Sequence, residues 1–404
     1  LLMAGSDSEG LHYGVIKTPE KFYLRWKEPV GSPHPKSKYS ASEYPNELDR
    51  SLLQMLEPAR LLEFIHDFLI FDGGIKKAAR PNQYFGIKMA QERILKNECC
   101  IMWHSQGSGK SLTMIWLAQW IKENIPGSPR VLVITDREEL DKQISSGFSA
   151  TDTHPQFIDD SGKLKGGRVE SGAALIRTLN DSSSDLICSL INKFGAGSSG
   201  YEAVTIGEKK SKRSPIEYLK DVAKRLPEGY SAKGKIIVFV DECHRTQGGV
   251  MHEAMKMIVG KDVMMIGFTG TPLMSKDKDA LTSQEQFGPF IHTYRFDEAV
   301  ADKVVLDIRY EPRNIEQELT DKKSVDAIFE KMTKGMLPKA KEALSSRWAT
   351  LQDLFSSRDR MQKIFADICK DMIRYPPLDK GYGNAMLVAG DIYQAYRYWE
   401  MFQS

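Results

Sequence analysis

Residues 104–111 read His104-Ser105-Gln106-Gly107-Ser108-Gly109-Lys110-Ser111. A short apolar segment precedes this stretch, and an apolar segment of helical character follows it. Glycines allow several backbone N–H groups to turn toward a phosphate, and the start of a helix adds a favourable dipole. The pattern predicts a phosphate-binding loop in which the Lys110 ammonium reaches the β- and γ-phosphates of ATP and the Ser111 hydroxyl binds Mg²⁺.

A pair of adjacent carboxylates lies farther along the chain. Residues 236–240 are apolar, and Asp241 and Glu242 follow them directly. At the end of a strand, Asp241 can reach the Mg²⁺ shell while Glu242 orients and polarises an attacking water. Taken alone, the pattern would also suit a strand that ends in an acidic loop. Together with a phosphate-binding loop, it predicts a site that hydrolyses ATP with Lys110, Asp241 and Glu242.

Two shorter patterns are expected beside the nucleotide. Thr269-Gly270-Thr271 follows an apolar stretch, and small hydroxyl residues there can sense the γ-phosphate or relay its loss. Gln83, upstream of the loop, has an amide that both donates and accepts, so it can read the edge of adenine. The alternatives are an ordinary strand-to-turn junction for the first pattern and a surface glutamine at a helix start for the second.

Basic residues after two further apolar runs suggest contacts with DNA. Arg137 follows residues 131–135, and Lys193 follows residues 186–190. Such residues can bind backbone phosphates without reading base sequence, although ordinary strand ends would look the same. We interpret one basic run as a solvated surface loop; it contains Lys209, Lys210, Lys212 and Arg213.

Short apolar runs alternate with helical stretches from about residue 80 onward. The five candidate strands are Cys100–Trp103, Val131–Thr135, Leu186–Leu190, Ile236–Val240 and Met264–Phe268. Apolar strands separated by helices predict a parallel sheet that is covered on both faces. Because the phosphate loop lies between a strand and a helix, we predict the α/β fold of a RecA-like P-loop NTPase.

The chain has 404 residues, more than one ordinary core contains, so we expect at least two domains. Residues 1–75 are predicted to form a linker and a helical segment over 47–71. A first RecA-like lobe is predicted over 76–300, and the start of a second, incomplete lobe over 301–404. The second lobe is predicted to contain strands over 304–310 and 385–389 and helices over 323–373.

The composition is typical of a folded, water-soluble protein. Hydrophobic residues make up 41% and charged residues 27%, with a net charge of +2. The five cysteines include no CxxC pair, which argues against a disulfide framework or a zinc site. No apolar run is long enough to span a membrane, and the first residues do not look like a secretory signal. We therefore expect a cytoplasmic protein that does not associate with membranes.

The order of these motifs resembles that of the motor subunit of type I restriction enzymes, which are superfamily 2 helicase-like translocases. The most specific strings are residues 103–114, 135–143, 241–245 and 268–273. His104, which replaces the first glycine of the general phosphate-loop pattern, is a normal variant in that family. Cys243 stands where the family more often has alanine.

The resemblance implies ATP-dependent translocation of double-stranded DNA within a complex that also holds methyltransferase and specificity subunits. It further implies a nuclease domain and an arginine finger that these residues do not supply. On that basis, we expect the isolated 404-residue chain to bind Mg-ATP weakly and to show almost no ATPase activity.

Two other functions remain open at this stage. One is that of a type III restriction subunit or another superfamily 2 DNA helicase. The other is a nucleotide-dependent switch that binds ATP and changes partners without moving DNA. Stimulation of ATPase activity by long duplex DNA would separate a motor from a switch, and displacement of an oligonucleotide would identify a strand-separating helicase.

Overall fold

The structure is a computed structural model that describes residues 1–28, 43–151, 153–194, 215–243, 249–260, 262–273, 282–314, 331, 333–336, 358–374, 380–381 and 383–403. The chain divides into a first unit, Leu1–Asp307, and a second unit, Ile308–Ser404. Each unit is described by itself.

The described residues form strands and helices with the following bounds. The strands are β1 (Leu2–Ser6), β2 (Gly10–Gly14), β3 (Leu24–Arg25), β4 (Leu69–Asp72), β5 (Ile75–Ala78), β6 (Cys100–His104), β7 (Arg130–Thr135), β8 (Gln156–Ile158), β9 (Leu164–Gly166), β10 (Leu186–Leu190), β11 (Ile236–Asp241), β12 (Met264–Thr269) and β13 (Phe290–Tyr294). The helices are α1 (Glu47–Met55), α2 (Pro58–Asp67), α3 (Pro81–Lys96), α4 (Lys110–Asn124), α5 (Glu138–Ala150), α6 (Gly172–Asn180), α7 (Pro215–Lys224), α8 (Gly249–Val259), α9 (Ser283–Phe287), α10 (Phe296–Ala301), α11 (Arg358–Arg374) and α12 (Ile392–Gln403).

A six-stranded sheet forms the centre of the first unit, in the order β10-β7-β11-β12-β6-β13. All five of its neighbouring pairs are parallel. The five strands predicted from the sequence are confirmed, and β13 is an additional edge strand. Parallel strands need crossover connections, and helices supply most of them here.

Both faces of this sheet are buried. Along β11, Ile237 and Phe239 pack into one apolar cluster with residues of α3, α4 and α5. The alternate residues Val238 and Val240 pack into a second cluster with residues of α6, α7 and α8. Burial of one such side chain contributes roughly 1.5–3 kcal/mol. The predicted α/β fold with helices on both faces is therefore confirmed.

The beginning of the chain is a folded part of the first unit rather than the linker predicted there. Strands β1, β2 and β3 make an antiparallel sheet. The Tyr13 hydroxyl donates to the carbonyl of Ala79 at 2.7 Å, and the Trp26 ring lies 5.5 Å from that of Phe85. Aromatic packing thus fixes this sheet to α3. Residues 29–42 of the predicted linker lie outside the described residues.

The helix predicted over 47–71 is two helices and a strand. Helix α1 ends at Met55, and Pro58 begins α2. Proline has no N–H to continue a helix but suits its first turn, so it separates the two. Residues Leu69–Asp72 pair with Ile75–Ala78 as an antiparallel hairpin, which the helical spacing of the apolar residues did not indicate.

The strands predicted over 304–310 and 385–389 are not formed, and those two predictions were wrong. The side chain of Leu306 is 91% exposed and that of Val388 is 81% exposed. An apolar strand of a parallel sheet needs paired neighbours and covered faces, and the described residues provide neither here. Helix α11 lies within the stretch predicted to be helical and packs against α12 through Phe365 and Phe402. A second RecA-like lobe stays a prediction.

None of the helices in the described ranges combines the length and apolarity that crossing a membrane requires.

Candidate nucleotide-binding site

The carboxyl edge of the central sheet gathers the predicted nucleotide residues. Because the six strands are parallel, their carboxyl ends lie along one edge, the usual ligand-binding edge of such sheets. The phosphate loop follows β6, Glu242 follows β11 and Gly270 follows β12. Since β12 lies between β11 and β6, the three predicted motifs are neighbours at this edge.

The phosphate loop has a backbone that requires glycine. Gly107 and Gly109 have φ angles of 79° and 92°, in the left-handed region. A Cβ atom on Gly109 would lie only 2.6 Å from Nε2 of Gln83. The buried Ser108 hydroxyl donates to the carbonyl of Ser105 at 2.6 Å, which closes the loop. Lys110 then begins α4, so the unpaired N–H groups of the first helical turn lie beside the loop.

The ammonium of Lys110 is held between two acceptors. Its Nζ atom lies 3.5 Å from the carbonyl oxygen of His104 and 3.6 Å from Oε1 of Glu242. The phosphate loop and the end of β11 are therefore in contact through a largely buried ion pair. A phosphate that enters the loop competes with Glu242 for this ammonium.

Asp241 is a buried carboxylate with an uncompensated oxygen. Its Oδ1 atom has no hydrogen-bond partner among the described residues. Burial, and to a smaller extent the neighbouring Glu242 charge, raise the pKa of Asp241 to about 6, while Lys110 acts in the opposite direction. A buried carboxylate with a free oxygen is suited to a divalent cation, and a second hard oxygen ligand, Ser111, lies in the first turn of α4. These residues fit Mg²⁺.

Glu242 adopts a backbone conformation that is unfavourable for its residue type. Its φ angle is 45°, in the left-handed region, which costs roughly 1–2 kcal/mol for a residue with a Cβ atom. Such conformations cluster at functional sites. Cys243, which follows, is buried, and its N–H donates to the carbonyl of Phe268 at 3.2 Å. Burial raises the pKa of the Cys243 thiol, so it stays protonated and inert.

Residues 269–271 lie directly against the phosphate loop. A Cβ atom on Gly270 would be 3.1 Å from the backbone nitrogen of Gln106. The Trp103 indole N–H donates to the Gly270 carbonyl at 3.2 Å, and the Thr271 N–H donates to the Thr269 hydroxyl at 3.1 Å. The role of this turn in coupling stays a prediction.

Gln83 is buried at the start of α3 and contacts the loop itself. Its Nε2 donates to the carbonyl of Gly109 at 2.9 Å, and its Oε1 accepts from the Arg80 N–H at 2.8 Å. The alternative of a surface glutamine at a helix start is wrong in one respect: Gln83 does lie at the start of α3, but it is buried. Its contact with adenine stays a prediction.

Arg137 and Lys193 follow β7 and β10, at the end of the sheet edge away from the phosphate loop. Arg137 is exposed immediately before α5. The Lys193 ammonium donates to the carbonyl of Glu170 at 2.8 Å. Contacts with DNA stay a prediction for both. The predicted surface run 209–213, together with His244 and Arg245, lies outside the described residues.

One residue at this edge was not singled out by the sequence. His292, in the unpredicted strand β13, has its Nδ1 atom 2.8 Å from Nε2 of His104. The two residues are 188 positions apart in the chain, so no local motif contains them both.

Comparisons with known proteins identify the family of this chain. A family model described as SWI2/SNF2 ATPase matches residues 82–342, more than half of the chain. The type I restriction enzyme HindI endonuclease subunit of Haemophilus influenzae is 27% identical over 365 residues. A candidate type I restriction enzyme endonuclease subunit, MjaIXP of Methanocaldococcus jannaschii, is 28% identical over 344 residues. Each alignment covers 82% of this chain, but only 30% and 29% of those proteins.

Among solved structures, the Sulfolobus solfataricus SWI2/SNF2 ATPase core in complex with dsDNA is 19% identical. The match covers 52% of this chain and 34% of that one, with a TM-score of 0.31. The resemblance to type I restriction subunits is confirmed by the sequence relatives.

Proposed function

Because the chain belongs to the SWI2/SNF2 ATPase family, we propose that it is the ATP-driven motor portion of a type I restriction enzyme subunit. The observation that carries this proposal is the contact between Lys110 in the phosphate loop and Glu242 at the end of β11. This contact supports the proposal that a phosphate-binding lysine and a catalytic base lie side by side at the carboxyl edge of a parallel sheet. The names of the sequence relatives support the restriction enzyme.

ATP binding is assigned to the phosphate loop and its neighbours. Backbone N–H groups of Gly107, Ser108 and Gly109 would surround the phosphates, with Lys110 neutralising the β- and γ-phosphate charge. Gln83 would read adenine. Ser111 and Asp241 would hold Mg²⁺, which neutralises phosphate charge when bound.

Hydrolysis is assigned to Glu242 and its coupling to Thr269, Gly270 and Thr271. When a phosphate replaces Glu242 as the ion-pair partner of Lys110, the Glu242 carboxylate would become available to orient a water and accept its proton. The closeness of Gly270 to Gln106, where a Cβ atom on Gly270 would lie 3.1 Å from the Gln106 nitrogen, would then give the turn 269–271 a route to respond to loss of the γ-phosphate.

Translocation of double-stranded DNA is the proposed use of this ATP. Arg137 and Lys193 are the candidate contacts to DNA phosphates. The partners in the proposed complex are methyltransferase and specificity subunits, and the assembled enzyme would cleave unmodified foreign DNA in the cytoplasm. All of these are proposals, because the chain spans only about 30% of the length of the relatives that it matches.

The test is phosphate release by the full subunit, with and without long linear duplex DNA. A motor requires stimulation by DNA that is lost in Lys110→Ala. ATP turnover that ignores DNA would favour a switch instead. Displacement of an annealed oligonucleotide would indicate a strand-separating helicase, because a translocase moves along duplex DNA without unwinding it.

A further inference from the structure

Strand β13 lies beside β6, the strand that leads into the phosphate loop. It pairs in parallel with β6, with Thr293 opposite Trp103 and Tyr294 opposite His104. The first residue of the loop, Ser105, donates its N–H to the carbonyl of Tyr294 at 2.8 Å. The pairing between β13 and β6 therefore reaches the start of the phosphate loop through one further hydrogen bond.

A buried histidine pair adds a side-chain link between the same two strands. Nε2 of His104 lies 2.8 Å from Nδ1 of His292, and the ring centroids are 5.0 Å apart. Gly86 of helix α3 packs against the histidine pair. A Cβ atom on Gly86 would lie 3.2 Å from Cε1 of His104. A glycine is needed at this contact because any side chain would press on the histidine ring.

Both rings are neutral near pH 7. Burial lowers the pKa of His292 to about 4. Burial also lowers the pKa of His104, and the nearby His292 and Lys110 lower it further. A neutral imidazole has one N–H and one bare nitrogen, so one ring of the pair donates and the other accepts. The bond thus fixes the tautomer and the orientation of both rings.

His104 also holds the lysine that is proposed to bind phosphate. Its carbonyl oxygen lies 3.5 Å from Nζ of Lys110. The ring and the carbonyl belong to one residue, so a ring that is anchored by His292 limits the rotation of the peptide that carries the carbonyl. A glycine at position 104, as in the general phosphate-loop pattern, has no side chain through which a neighbouring strand could do this.

We propose that His292 is a positioning residue for the phosphate loop, acting through the ring of His104 to orient the carbonyl that holds Lys110. The proposal rests on the proposed function only in that Lys110 binds phosphate. It assigns the unpredicted strand β13 a part in ATP binding, although no atom of His292 needs to touch the nucleotide.

The test is a double-mutant cycle on the binding of Mg-ATP, measured by calorimetry with the full subunit. His292→Leu removes the hydrogen bond and leaves a buried ring nitrogen without a partner, so it should weaken affinity by about tenfold. His292→Asn keeps a polar atom near the position of Nδ1, so its affinity for Mg-ATP should stay within about threefold of that of wild type. In a His104→Gly background, His292→Leu should change affinity by less than about twofold.

An equal loss in both backgrounds would overturn the proposal, because His292 would then act through packing and not through His104. Unchanged affinity of the His292→Leu chain would overturn it as well. Thermal unfolding of each variant separates loss of the fold from loss of binding. His252→Leu is a control for another buried histidine, which lies on α8, and it should leave affinity within about twofold of wild type.

A second measurement needs no nucleotide and separates this proposal from the proposed function. In the chain labelled with ¹⁵N, the ring nitrogens of His104 should show one N–H and one bare nitrogen. His292→Leu should shift these signals and the amide signals of Gly107 and Gly109, and it should not shift the glycine amides in the His104→Gly background. If wild type failed to bind ATP, only the proposed function would be lost. If His292→Leu left the chemical shifts of the His104 ring nitrogens unchanged, the pairing of the two histidines would be refuted.

Discussion

Nζ of Lys110 lies 3.6 Å from Oε1 of Glu242, and the two side chains are only 11% and 13% exposed. The residue proposed to bind the γ-phosphate therefore neutralises the residue proposed to activate water. A buried pair of this kind is broken at a cost unless another charge replaces the lost partner. In the proposed mechanism the incoming phosphate would replace Glu242 as the partner of Lys110, and the carboxylate would become available as ATP arrives.

Glu242→Gln should bind Mg-ATP at least as tightly as wild type and hydrolyse it at least about 100-fold more slowly. The amide keeps the shape but neither accepts a proton well nor competes with phosphate for Lys110. Calorimetry measures the binding, and phosphate release by the full subunit measures turnover. Glu123→Gln, at the exposed far end of the same α4 helix as Lys110, is the control. Wild-type turnover in Glu242→Gln would remove Glu242 from the mechanism.

Lys110→Ala should lower the affinity for Mg-ATP by about 100-fold, since the phosphate charge loses its main side-chain partner. Lys122→Ala is the matched control, because Lys122 lies in the last turn of α4 and its side chain is largely exposed. The affinities of both variants are measured by calorimetry on the full subunit. Equal affinities of the two variants would show that the loop does not bind phosphate through Lys110.

Asp241→Asn should stabilise the chain in a pH-dependent way. The folded-state pKa of Asp241 is raised to about 6 from 3.8, so its contribution to stability is fully present below pH 3.8 and is lost as the pH rises through 6. The variant carries no charge at position 241. Its free energy of unfolding should exceed that of wild type by about 3 kcal/mol at pH 8 and by less than about 1 kcal/mol at pH 4. Urea unfolding at both pH values measures the difference, and a gain that does not change with pH would contradict the burial argument.

Arg130→Lys should destabilise the first unit by about 2–4 kcal/mol, although Arg130 is far from the nucleotide motifs in sequence. The guanidinium is buried, and its donors bind four carbonyl oxygens, those of Thr178, Leu179, Ser184 and Lys233. A lysine has a single nitrogen and cannot reach this fork-shaped set. The exposed pair Arg177–Asp160 supplies the control: Arg177→Lys should change the free energy of unfolding by less than about 0.5 kcal/mol. Similar losses in the two variants would mean that the carbonyl contacts of Arg130 contribute little.

The fold could be predicted where a strand is apolar throughout. Strand β11 is continuously apolar until Asp241 because both of its faces are covered, and a sequence pattern detects this directly. Strand β13 was missed because an edge strand has fewer neighbours and tolerates polar residues such as His292 and Thr293. In the stretch 385–389, by contrast, a strand was predicted that the structure does not form. Apolar composition alone does not supply the partner strand that such a strand needs.

The site could be predicted where its residues are close in sequence. The phosphate loop is a local motif, and its glycine conformations follow from the residue types. The Lys110–Glu242 contact was implied by placing two motifs at one edge, but its geometry was not. The His104–His292 bond and the use of Gln83 on the Gly109 carbonyl join separate elements, and no spacing rule indicates which side chains meet there.

The position of β6 in the sheet has a consequence for synthesis. Its two neighbours, β12 and β13, both come late in the chain. When β6 leaves the ribosome, the strands that will flank it have not yet been made, and its apolar residues must wait until Tyr294 has emerged. Long-range parallel pairing is slow and leaves unpaired strands open to aggregation. A nascent chain stalled before β12 would therefore carry a complete phosphate-loop sequence without the sheet that shapes it, and would be a natural client for chaperones.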